Sequence, residues 1–303
     1  MSGVIETEKL TKVYGRKARG IEDVDLVVEE GEVFGFLGPN GAGKTTTIRV
    51  LLNFLRPTGG RARVFGMDSR RESVEIRTRV GNLPGEFALE DRMTGEELLR
   101  FFARLRGVKD LGYAYELAER LEADLNRQMR RLSRGNKQKI GLVQAMFHRP
   151  PLLILDEPTG GLDPLVQEEF LEIIGEVRAA GSTVFFSSHN LAEVERVCDR
   201  VGIIRAGELV DVEPTHQLIN KAFRHVSLTF GEPVDSDPFA ALPGVRDLRA
   251  DGNSLAFTLY DNLDEVVKLA ARNRLVNMEY ERPSLEEVFL TYYDGELQNG
   301  GER

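Results

Sequence analysis

The sequence has almost no cysteine, since Cys198 is the single one in 303 residues. An intramolecular disulfide is therefore impossible, and the composition favours a protein of the reducing cytosol. No uncharged stretch approaches the roughly 18 residues that a membrane-spanning helix needs. The N-terminal residues MSGVIETEKL lack the basic region and apolar run of a secretory signal. If the protein acts at a membrane, we expect another chain to supply the span.

An excess of positive charge is also missing, because the formal net charge is -9. Proteins that bind nucleic acid generally depend on Lys and Arg to neutralise phosphates, so we expect no nucleic-acid partner. Apolar residues make up 41% and charged residues 29% of the chain, which is ordinary for a globular protein. The length fits one large domain, or one of ordinary size with a smaller one.

The order of apolar runs predicts alternating strands and helices through much of the chain. Buried strands are predicted in VFGFL (33–37), PLLILDEP and TVFFSSH, each followed by a helical pattern. This alternation is typical of a parallel sheet covered by helices, which places the chain in the α/β class. The first segment, VIETEKLTKVYG, predicts an edge strand, and IEDVDLVVEEGE predicts a strand that ends in a turn.

A wholly helical insert is predicted at about 86–130, where it interrupts the sheet. Thr94 and Glu97 have the spacing of a capping box at the start of its first helix. Apolar side chains follow at helical spacing, and we expect this stripe to be core: Leu98, Phe101, Phe102 and Leu105.

A change of pattern near Pro214 predicts a second domain, so that the chain divides into 1–214 and 215–303. Short alternating strands are predicted in HVSLTF, VRDLRAD, SLAFTLY and VNMEYE, with helices in DNLDEVVKLAARN and SLEEVFLTYY. Ser284 and Glu287 have capping-box spacing at the start of the last helix. This small α+β domain contains no catalytic constellation, so we expect the chemistry within 1–214.

The strongest chemical signal is GPNGAGKTT at 38–46, which satisfies the phosphate-loop pattern G-x-x-x-x-G-K-[ST]. It follows a predicted strand and opens a predicted helix, so that backbone N–H groups and the helix N-terminus can stabilise a phosphate chain. We expect Lys44 to reach the β and γ phosphates and the Thr45 hydroxyl to bind Mg²⁺. The predicted nucleotide-binding residues are Gly38, Pro39, Asn40, Gly41, Ala42, Gly43, Lys44, Thr45 and Thr46.

Two further strands end in polar side chains that belong beside this loop. Asp156 and Glu157 end a buried strand, where Asp156 can hold Mg²⁺ through water and Glu157 can orient and deprotonate the attacking water. His189 ends the strand TVFFSSH and is placed to contact the γ-phosphate. The predicted catalytic residues are Glu157, His189 and Lys44, and the predicted metal ligands are Thr45 and Asp156.

Six motifs together resemble the ATP-binding subunits of ABC transporters over residues 4 to about 212. In order these are VYG, GPNGAGKTT, LSRGN, LLILDEP, GGLD and SSH. The resemblance implies a P-loop NTPase core of the ABC type, with a parallel sheet, an antiparallel β subdomain and the helical insert. RPSLEEVFLTYY at 282–293 is similar to the C-terminal extension of bacterial exporter ATPases for drugs and antibiotics.

The same resemblance implies roles for further residues. Tyr14 would stack on adenine, and Asp163 would lie at a dimer interface near the catalytic water. LSRGN corresponds to the family's LSGGQ signature, which acts on the ATP of a second copy and here comprises Ser133, Arg134, Gly135 and Asn136. The implied ligands are ATP and Mg²⁺. The implied partners are a second copy and a separate transmembrane permease, docked at 83–105 on the cytoplasmic face of the membrane and driven to export a hydrophobic compound.

The sequence departs from the family pattern at two places. Gly85 in VGNLPGE stands where the family has glutamine, and Glu86 is a candidate replacement for the missing side chain. Arg134 replaces a glycine of the signature, and it either strengthens anion binding beside the partner's triphosphate or points into solvent. Asn136 replaces glutamine, while Lys137 and Lys139 are interpreted as charges on a helix face.

Two other classes of function remain open from the sequence. One is an ABC ATPase that works without a permease on ribosomes, DNA or cluster assembly. The other is a GTPase or small-molecule kinase, because NKQK at 136–139 superficially resembles the guanine-reading N-K-x-D motif. Lys139 stands where that motif has aspartate, which argues against guanine recognition.

Overall fold

The computed structural model describes residues 3–15, 18–85, 92–221, 223–283 and 287–288. The chain divides into two compact units, Met1–Glu213 and Pro214–Arg303. Within the described residues, no helix is long and apolar enough to cross a membrane.

Strands and helices alternate in the first unit. In chain order they are β1 (Ile5–Tyr14), β2 (Ala18–Val28), β3 (Val33–Leu37), α1 (Lys44–Leu51), β4 (Gly59–Val64), β5 (Met67–Asp68), α2 (Ser73–Arg79), β6 (Val80–Leu83), α3 (Gly95–Arg106), α4 (Gly112–Arg120), α5 (Arg134–Met146), β7 (Leu152–Asp156), α6 (Pro164–Ala179), β8 (Thr183–Ser188), α7 (Leu191–Val197), β9 (Arg200–Arg205) and β10 (Glu208–Pro214). A short 3₁₀ turn, Met129–Arg131, precedes α5.

The larger sheet of this unit has the strand order β10-β9-β3-β8-β7-β6. Its inner strands run parallel, with β3 between β8 and β9 and β7 between β6 and β8. β3, β7 and β8 are buried along their whole length, as expected for strands covered on both faces. The predicted parallel α/β sheet is therefore confirmed, and the carboxyl ends of β3, β7 and β8 meet at one edge.

The smaller sheet is antiparallel, with the strand order β2-β1-β4-β5. The prediction of an edge strand in the first segment was wrong, because β1 pairs with β2 on one side and with β4 on the other. An alternating sequence pattern indicates that one face of a strand is exposed to water. It does not indicate whether the strand has one neighbouring strand or two. Buried residues of both sheets and α1 form one cluster that includes Ile5, Phe34, Ile48 and Phe185.

The helical insert begins with the predicted capping box. Thr94 Oγ1 accepts a hydrogen bond from the Glu97 backbone N–H (3.2 Å), and the Glu97 side chain accepts one from the Thr94 N–H (2.8 Å). Leu98 is buried in a small cluster with Met129 and Ile140. The rest of the predicted core stripe is only partly confirmed: Phe102 is half-buried, whereas Phe101 and Leu105 are 44% and 67% exposed.

The narrow core of the insert explains these two exposed side chains. α3 packs against α5 through the small cluster of Leu98, Met129 and Ile140, and this cluster does not include Phe101 or Leu105. Periodicity shows which residues share a helix face, and the neighbouring element decides how much of that face is buried.

The second unit has the element order α8 (Thr215–Lys221), β11 (Arg224–Phe230), α9 (Asp237–Ala240), β12 (Val245–Asp251), β13 (Ser254–Leu259), α10 (Leu263–Ala270) and β14 (Leu275–Glu281). Its antiparallel sheet has the order β12-β13-β11-β14. From β11 onwards this is the βαββαβ arrangement of ferredoxin-like domains. The predicted cap at Ser284 and most of the last predicted helix lie outside the described residues.

Candidate functional site

The phosphate loop joins β3 to α1 and depends on glycine at specific positions. Gly43 has φ of 118°, in the left-handed region that favours glycine. A Cβ atom on Gly43 would lie 2.7 Å from Ile21 Cγ2, and one on Gly38 would lie 2.4 Å from the Ile204 carbonyl oxygen. The motif therefore fits a loop that both turns sharply and packs closely against neighbouring strands.

Lys44, the first residue of α1, is enclosed by this loop. Its ammonium donates to the carbonyl oxygens of Gly38 (2.5 Å) and Pro39 (3.3 Å). It also lies 3.1 Å from Oε1 of Glu157, an ion contact that is poorly aligned for a hydrogen bond. A buried cation at this point can exchange its carbonyl partners for phosphate oxygens.

Asp156 and Thr45 form a pair of oxygen ligands at the end of β7. The Thr45 hydroxyl donates to Asp156 Oδ2 (2.7 Å), and Asp156 is 1% exposed. Hydroxyl and carboxylate oxygens are ligands that Mg²⁺ prefers, usually together with waters and substrate phosphates. Among the residues described, no group of three or more His, Cys, Asp or Glu forms a metal cage. The two oxygens therefore fit a metal that shares its ligands with a nucleotide.

Ser187 on β8 supports Asp156 and was missed by sequence reasoning. Its hydroxyl donates to Asp156 Oδ1 (2.5 Å) from a fully buried position. The available signal was a serine at the carboxyl end of TVFFSS, the strand that precedes His189. Ser187 also accepts, through its carbonyl oxygen, a hydrogen bond from the Glu157 N–H (3.1 Å).

Glu157 has a backbone conformation that is unusual for a residue with a side chain. Its φ is 51°, which is in the left-handed region, and such outliers cluster at functional sites. Oε2 of Glu157 lies 2.5 Å from Nδ1 of His189. Because an ionised carboxylate only accepts hydrogen bonds, this contact places the proton of a neutral imidazole on Nδ1. The structure thus brings Glu157, His189 and Lys44 together at one edge of the sheet.

Tyr14 lies at the end of β1 beside the phosphate loop. Its hydroxyl is 3.3 Å from Thr46 Oγ1, and its ring is 39% exposed. Together with loop residues it lines a cavity of about 190 Å³. An exposed aromatic face at the mouth of a phosphate cleft can stack against a flat base.

Ser133 and Gly135 position the start of α5. Ser133 caps the helix, since its hydroxyl accepts from the Asn136 N–H (3.2 Å). A Cβ atom on Gly135 would lie 2.4 Å from the Gly161 carbonyl oxygen, so glycine permits a close approach between α5 and the loop before α6. The Asn136 amide is used within the chain, because it donates to and accepts from the backbone of Asp124 (3.3 and 3.0 Å).

The interpretation of Lys139 as a charge on an exposed helix face was wrong. It is buried, and its ammonium lies 3.3 Å from Oδ2 of Asp163. Asp163 caps α6 by accepting from the Val166 N–H (3.1 Å). That backbone hydrogen bond and the Lys139 ammonium lower the pKa of the Asp163 carboxyl. The side chain points inward because its position, one turn after Gly135, faces the loop that α5 approaches.

Gln138, also missed from sequence, adds a second link between α5 and this loop. Its amide donates to the carbonyl oxygens of Glu157 (3.2 Å) and Pro158 (2.9 Å). A sequence signal for it was a polar residue just before the apolar run IGLV of the same helix. The signature helix is thereby fixed to the backbone of the predicted catalytic carboxylate.

A second cavity, of about 450 Å³, adjoins the first. Its lining includes Thr45, Asp156, Glu157 and His189, together with Gly85 and Arg134. Glu86, the proposed replacement for the missing glutamine, lies outside the described residues.

Comparisons with known proteins agree with this geometry. A family model described as ABC transporter matches residues 21–160. An ABC transporter ATP-binding protein of Nostoc sp. is 36% identical over 304 residues, covering 95% of this chain and 89% of the relative. The bacitracin transport ATP-binding protein BcrA of Bacillus licheniformis is 38% identical over 224 residues, covering 72% of each chain.

Solved structures share the fold of the first unit. A structure of an ATP-binding subunit of an ABC transporter is 32% identical, with a TM-score of 0.65, covering 72% of this chain and 92% of that chain. A dimeric ATP-binding cassette in a post-hydrolysis state, with ADP and Pi bound, is 22% identical with a TM-score of 0.65, covering 70% and 98%. The second likeness concerns the fold alone. The chain therefore belongs to the ATP-binding proteins of ABC transporters, and it is an ATPase that uses ATP with Mg²⁺.

Proposed function

We propose that the chain powers a separate transmembrane permease that exports a drug, an antibiotic or another hydrophobic compound. The observation that carries this proposal is the group of side chains at one sheet edge, Lys44, Thr45, Asp156, Glu157 and His189. Support for the cargo class comes from the bacitracin transport protein among the relatives. The chain would work on the cytoplasmic face of the membrane, held there by the permease.

Nucleotide binding begins at the phosphate loop. The glycine-rich backbone and the N-terminus of α1 offer N–H donors to the phosphates, and Lys44 adds a positive charge. Tyr14 stacks on adenine. Thr45 and Asp156 would hold Mg²⁺, which would neutralise developing charge on the phosphate oxygens.

Hydrolysis depends on Glu157 as the acceptor of a proton from water. His189 orients that carboxylate through the Nδ1 contact of 2.5 Å. When the neutral ring carries its proton on Nδ1, the other ring nitrogen, Nε2, has no proton to donate. A hydrogen bond from His189 to the γ-phosphate therefore requires the positively charged imidazole. The buried Lys44 ammonium lies 3.1 Å from Glu157 Oε1 and holds this carboxylate oxygen next to the phosphate loop.

Two copies of the chain would enclose two ATP molecules. Ser133, Gly135 and Asp163 would then approach the nucleotide of the partner subunit, with Arg134 and Asn136 beside them. Gln138 and Lys139 tie these elements into one unit, since both join α5 to the loop before α6. Because that loop also carries Glu157, closure of the dimer is mechanically connected to the catalytic carboxylate.

The permease would dock at 83–105 on the helical insert. Phe101 and Leu105 of α3 support this location, because they expose apolar surface next to each other on one helix face. Isolated exposed apolar residues are common, whereas adjacent ones at helical spacing suit an inserted helix. Closure of two ATPase subunits could then be transmitted through α3 and α5 to the permease.

The direct test is co-purification with a candidate permease encoded beside this protein. The complex should hydrolyse ATP faster when the exported compound is added, and Phe101→Ser with Leu105→Ser should prevent co-purification. A matched variant, Val74→Ser, removes another exposed apolar side chain outside the predicted docking segment and should bind normally. Full ATPase activity with no membrane partner, in cells that contain the candidate permease, would instead favour an ABC ATPase without a permease.

A further inference from the structure

A buried carboxylate on α7 has no part in the binding or hydrolysis of ATP as proposed for this site. It belongs to Glu193, which is 5% exposed. Carboxylates are seldom buried so fully unless they are paired or well hydrogen-bonded. Burial raises the pKa of the Glu193 carboxyl, and hydrogen bonds from three neighbouring side chains offset part of that shift. The position of this group therefore depends on those three partners.

The hydrogen bonds of Glu193 reach two different loops. Its Oε2 accepts from the hydroxyls of Thr159 (2.9 Å) and Ser188 (3.3 Å), and its Oε1 accepts from the side-chain amide of Asn190 (2.9 Å). Thr159 belongs to the loop that follows β7. Ser188 and Asn190 are the neighbours of His189 in the sequence. One carboxylate therefore joins the loop after β7 to the residues on both sides of His189.

The direction of the His189 ring needs such support, because this side chain is 64% exposed. An exposed ring has few packing contacts, so its direction depends on the backbone that carries it. Glu157 has a strained positive φ and lies at the start of the loop that contains Thr159. The contact of 2.5 Å between Glu157 Oε2 and His189 Nδ1 therefore depends on how the two loops are placed relative to each other.

Two polar side chains from different helices hold the loop after β7. Gln138 of α5 donates to the carbonyl oxygens of Glu157 and Pro158. Glu193 of α7 accepts from the hydroxyl of Thr159, the next residue of the loop. The first contact fixes the loop to the signature helix, and the second links it to the end of β8 and the start of α7.

We propose that Glu193 is a positioning residue for ATP hydrolysis, which keeps the loop of Glu157 and the loop of His189 in register. It acts through its three side-chain hydrogen bonds and accepts no proton from water itself. A displacement of about 1 Å at a catalytic group can lower a reaction rate about 100-fold, so the link affects hydrolysis more than ATP binding. The inference rests on the proposed catalytic roles of Glu157 and His189, and it does not involve the permease.

The first experiment compares two replacements of Glu193 in the full-length chain. Glu193→Ala removes all three hydrogen bonds and should lower kcat for ATP hydrolysis at least about tenfold, while KM changes by less than about threefold. Glu193→Gln keeps the shape, and its amide can donate to the two hydroxyls and accept from Asn190, so kcat should stay within about threefold of the original. Glu195→Ala removes an exposed carboxylate from the same helix and serves as the matched control.

Three results of this comparison would overturn the proposal. One is a folded Glu193→Ala chain with an unchanged kcat. Another is a loss in Glu193→Gln as large as in Glu193→Ala, which would assign the effect to negative charge instead of hydrogen bonding. The third is a rise in KM that accounts for the whole loss of activity, which would indicate damage to the nucleotide cleft.

Thr159→Val keeps the proposal testable if Glu193→Ala does not fold. Valine has the shape of threonine without the hydroxyl, so this variant breaks only the link to the loop after β7. We expect kcat to fall at least about threefold, and Thr159→Ser, which retains the hydroxyl, should restore most of the rate. Where the double variant folds, its kcat should be close to that of Glu193→Ala, because both changes break the same link. An unchanged kcat in Thr159→Val would contradict the proposal.

The His189 ring gives a second readout that does not depend on catalysis. At a pH where the ring is neutral, its contact with Glu157 fixes the proton on Nδ1, and the two ring nitrogens should have well-separated ¹⁵N shifts. Glu193→Ala should bring these shifts closer together as the ring exchanges between tautomers, whereas Glu193→Gln should keep them apart. His189→Gln identifies the resonances among the four histidines.

Unchanged ¹⁵N shifts in a folded Glu193→Ala chain would refute the positioning of His189 by Glu193. The proposed catalytic role of Glu157 is tested separately, since it fails if Glu157→Gln hydrolyses ATP at the original rate. In that case the ¹⁵N shifts would still decide whether Glu193 positions the ring.

Discussion

At the scale of single residues, Glu157 combines a strained backbone conformation with the central proposed role in catalysis. Its positive φ is a strained conformation that the chain maintains by hydrogen-bonding its N–H to the carbonyl oxygen of Ser187. This backbone turn points the carboxylate back to Lys44 and His189. The strained conformation thus places the proposed proton acceptor next to the phosphate loop.

Replacing that carboxylate with an amide gives the first prediction. Glu157→Gln should lower kcat for ATP hydrolysis at least about 100-fold, because an amide cannot accept the proton of water. The side chain keeps its shape, so the dissociation constant for Mg-ATP should change by less than about threefold. Phosphate release and equilibrium binding measure the two effects. Hydrolysis near the original rate would assign proton acceptance to another group.

The sequence alone could identify residues of this site only where they belong to a recognisable local motif. Lys44 was predictable from the phosphate-loop motif after a buried strand, and Asp156 and Glu157 because they lie at the end of another. Parallel strands bring such positions to one edge. Ser187 and Lys139 were not identified, since their importance depends on contacts with Asp156 and Asp163, which are distant in sequence or across a loop. A serine or lysine has many possible partners, and only the folded chain selects one.

At the scale of secondary-structure elements, α5 and the loop before α6 are held together by three contacts. Gly135 permits the close approach, Gln138 bonds to backbone carbonyls, and Lys139 pairs with the Asp163 cap. The capping box of α3 was likewise visible in sequence, since it needs only residues three positions apart. Exposure of Phe101 and the inner position of β1 were not visible, because both depend on which element packs alongside.

Breaking the link between these elements gives the second prediction. Lys139→Met keeps the length and burial of the side chain but leaves Asp163 without its cation, so the loop and α5 should lose their mutual alignment. We expect kcat to fall about tenfold, equivalent to about 1.4 kcal/mol, while ATP binding by the monomer is unchanged.

A charge-conserving variant provides the control for this change. Lys139→Arg should retain most of the ATPase rate, since a guanidinium can also pair with Asp163. Steady-state kinetics and equilibrium nucleotide binding separate the two effects. A parallel fall in ATP affinity would indicate damage to the nucleotide cleft rather than loss of alignment.

His148, two residues after the end of α5, is a pH-sensitive side chain. Burial and the nearby Arg106 guanidinium lower the pKa of His148 from its ordinary value of 6.5 to about 4. In the pH range between these values the unfolded chain binds a proton on His148 and the folded chain does not. Stability contributed by the neutral ring is therefore present above about pH 6.5 and is lost as pH falls towards 4.

The third prediction follows from the lowered pKa of His148. The free energy of unfolding should fall between pH 7 and pH 5, with about 1 kcal/mol of the decrease due to His148, after allowance for solvent screening of a half-buried ring. His148→Gln, which cannot titrate, should show a pH dependence smaller by that amount. Urea unfolding at the two pH values measures it, and identical pH dependence in both proteins would remove His148 as the cause.

At the scale of the whole molecule, the two compact units differ in the kind of residues they hold. The first contains the side chains proposed for the ATP site and its own buried cluster of strands and α1. The second has a separate core around Phe230, Phe239 and Phe257. Its four strands and α10 were predicted from local patterns, whereas the short helices α8 and α9 were not. The order β12-β13-β11-β14 arises from long-range pairing that no local pattern specifies.

The fourth prediction concerns the separability of ATP hydrolysis from the second unit. A chain of residues 1–214 retains β10 complete and keeps all the proposed site residues, so it should hydrolyse ATP within about threefold of the full-length rate, a difference of less than about 0.7 kcal/mol in activation free energy. Because its buried cluster is formed by residues within 1–214, it should also unfold in a single cooperative transition. Calorimetry and phosphate-release assays on both chains provide the measurements. A truncated chain that folds and binds Mg-ATP, yet cannot hydrolyse it, would mean that residues 215–303 contribute to catalysis through a contact outside the first unit.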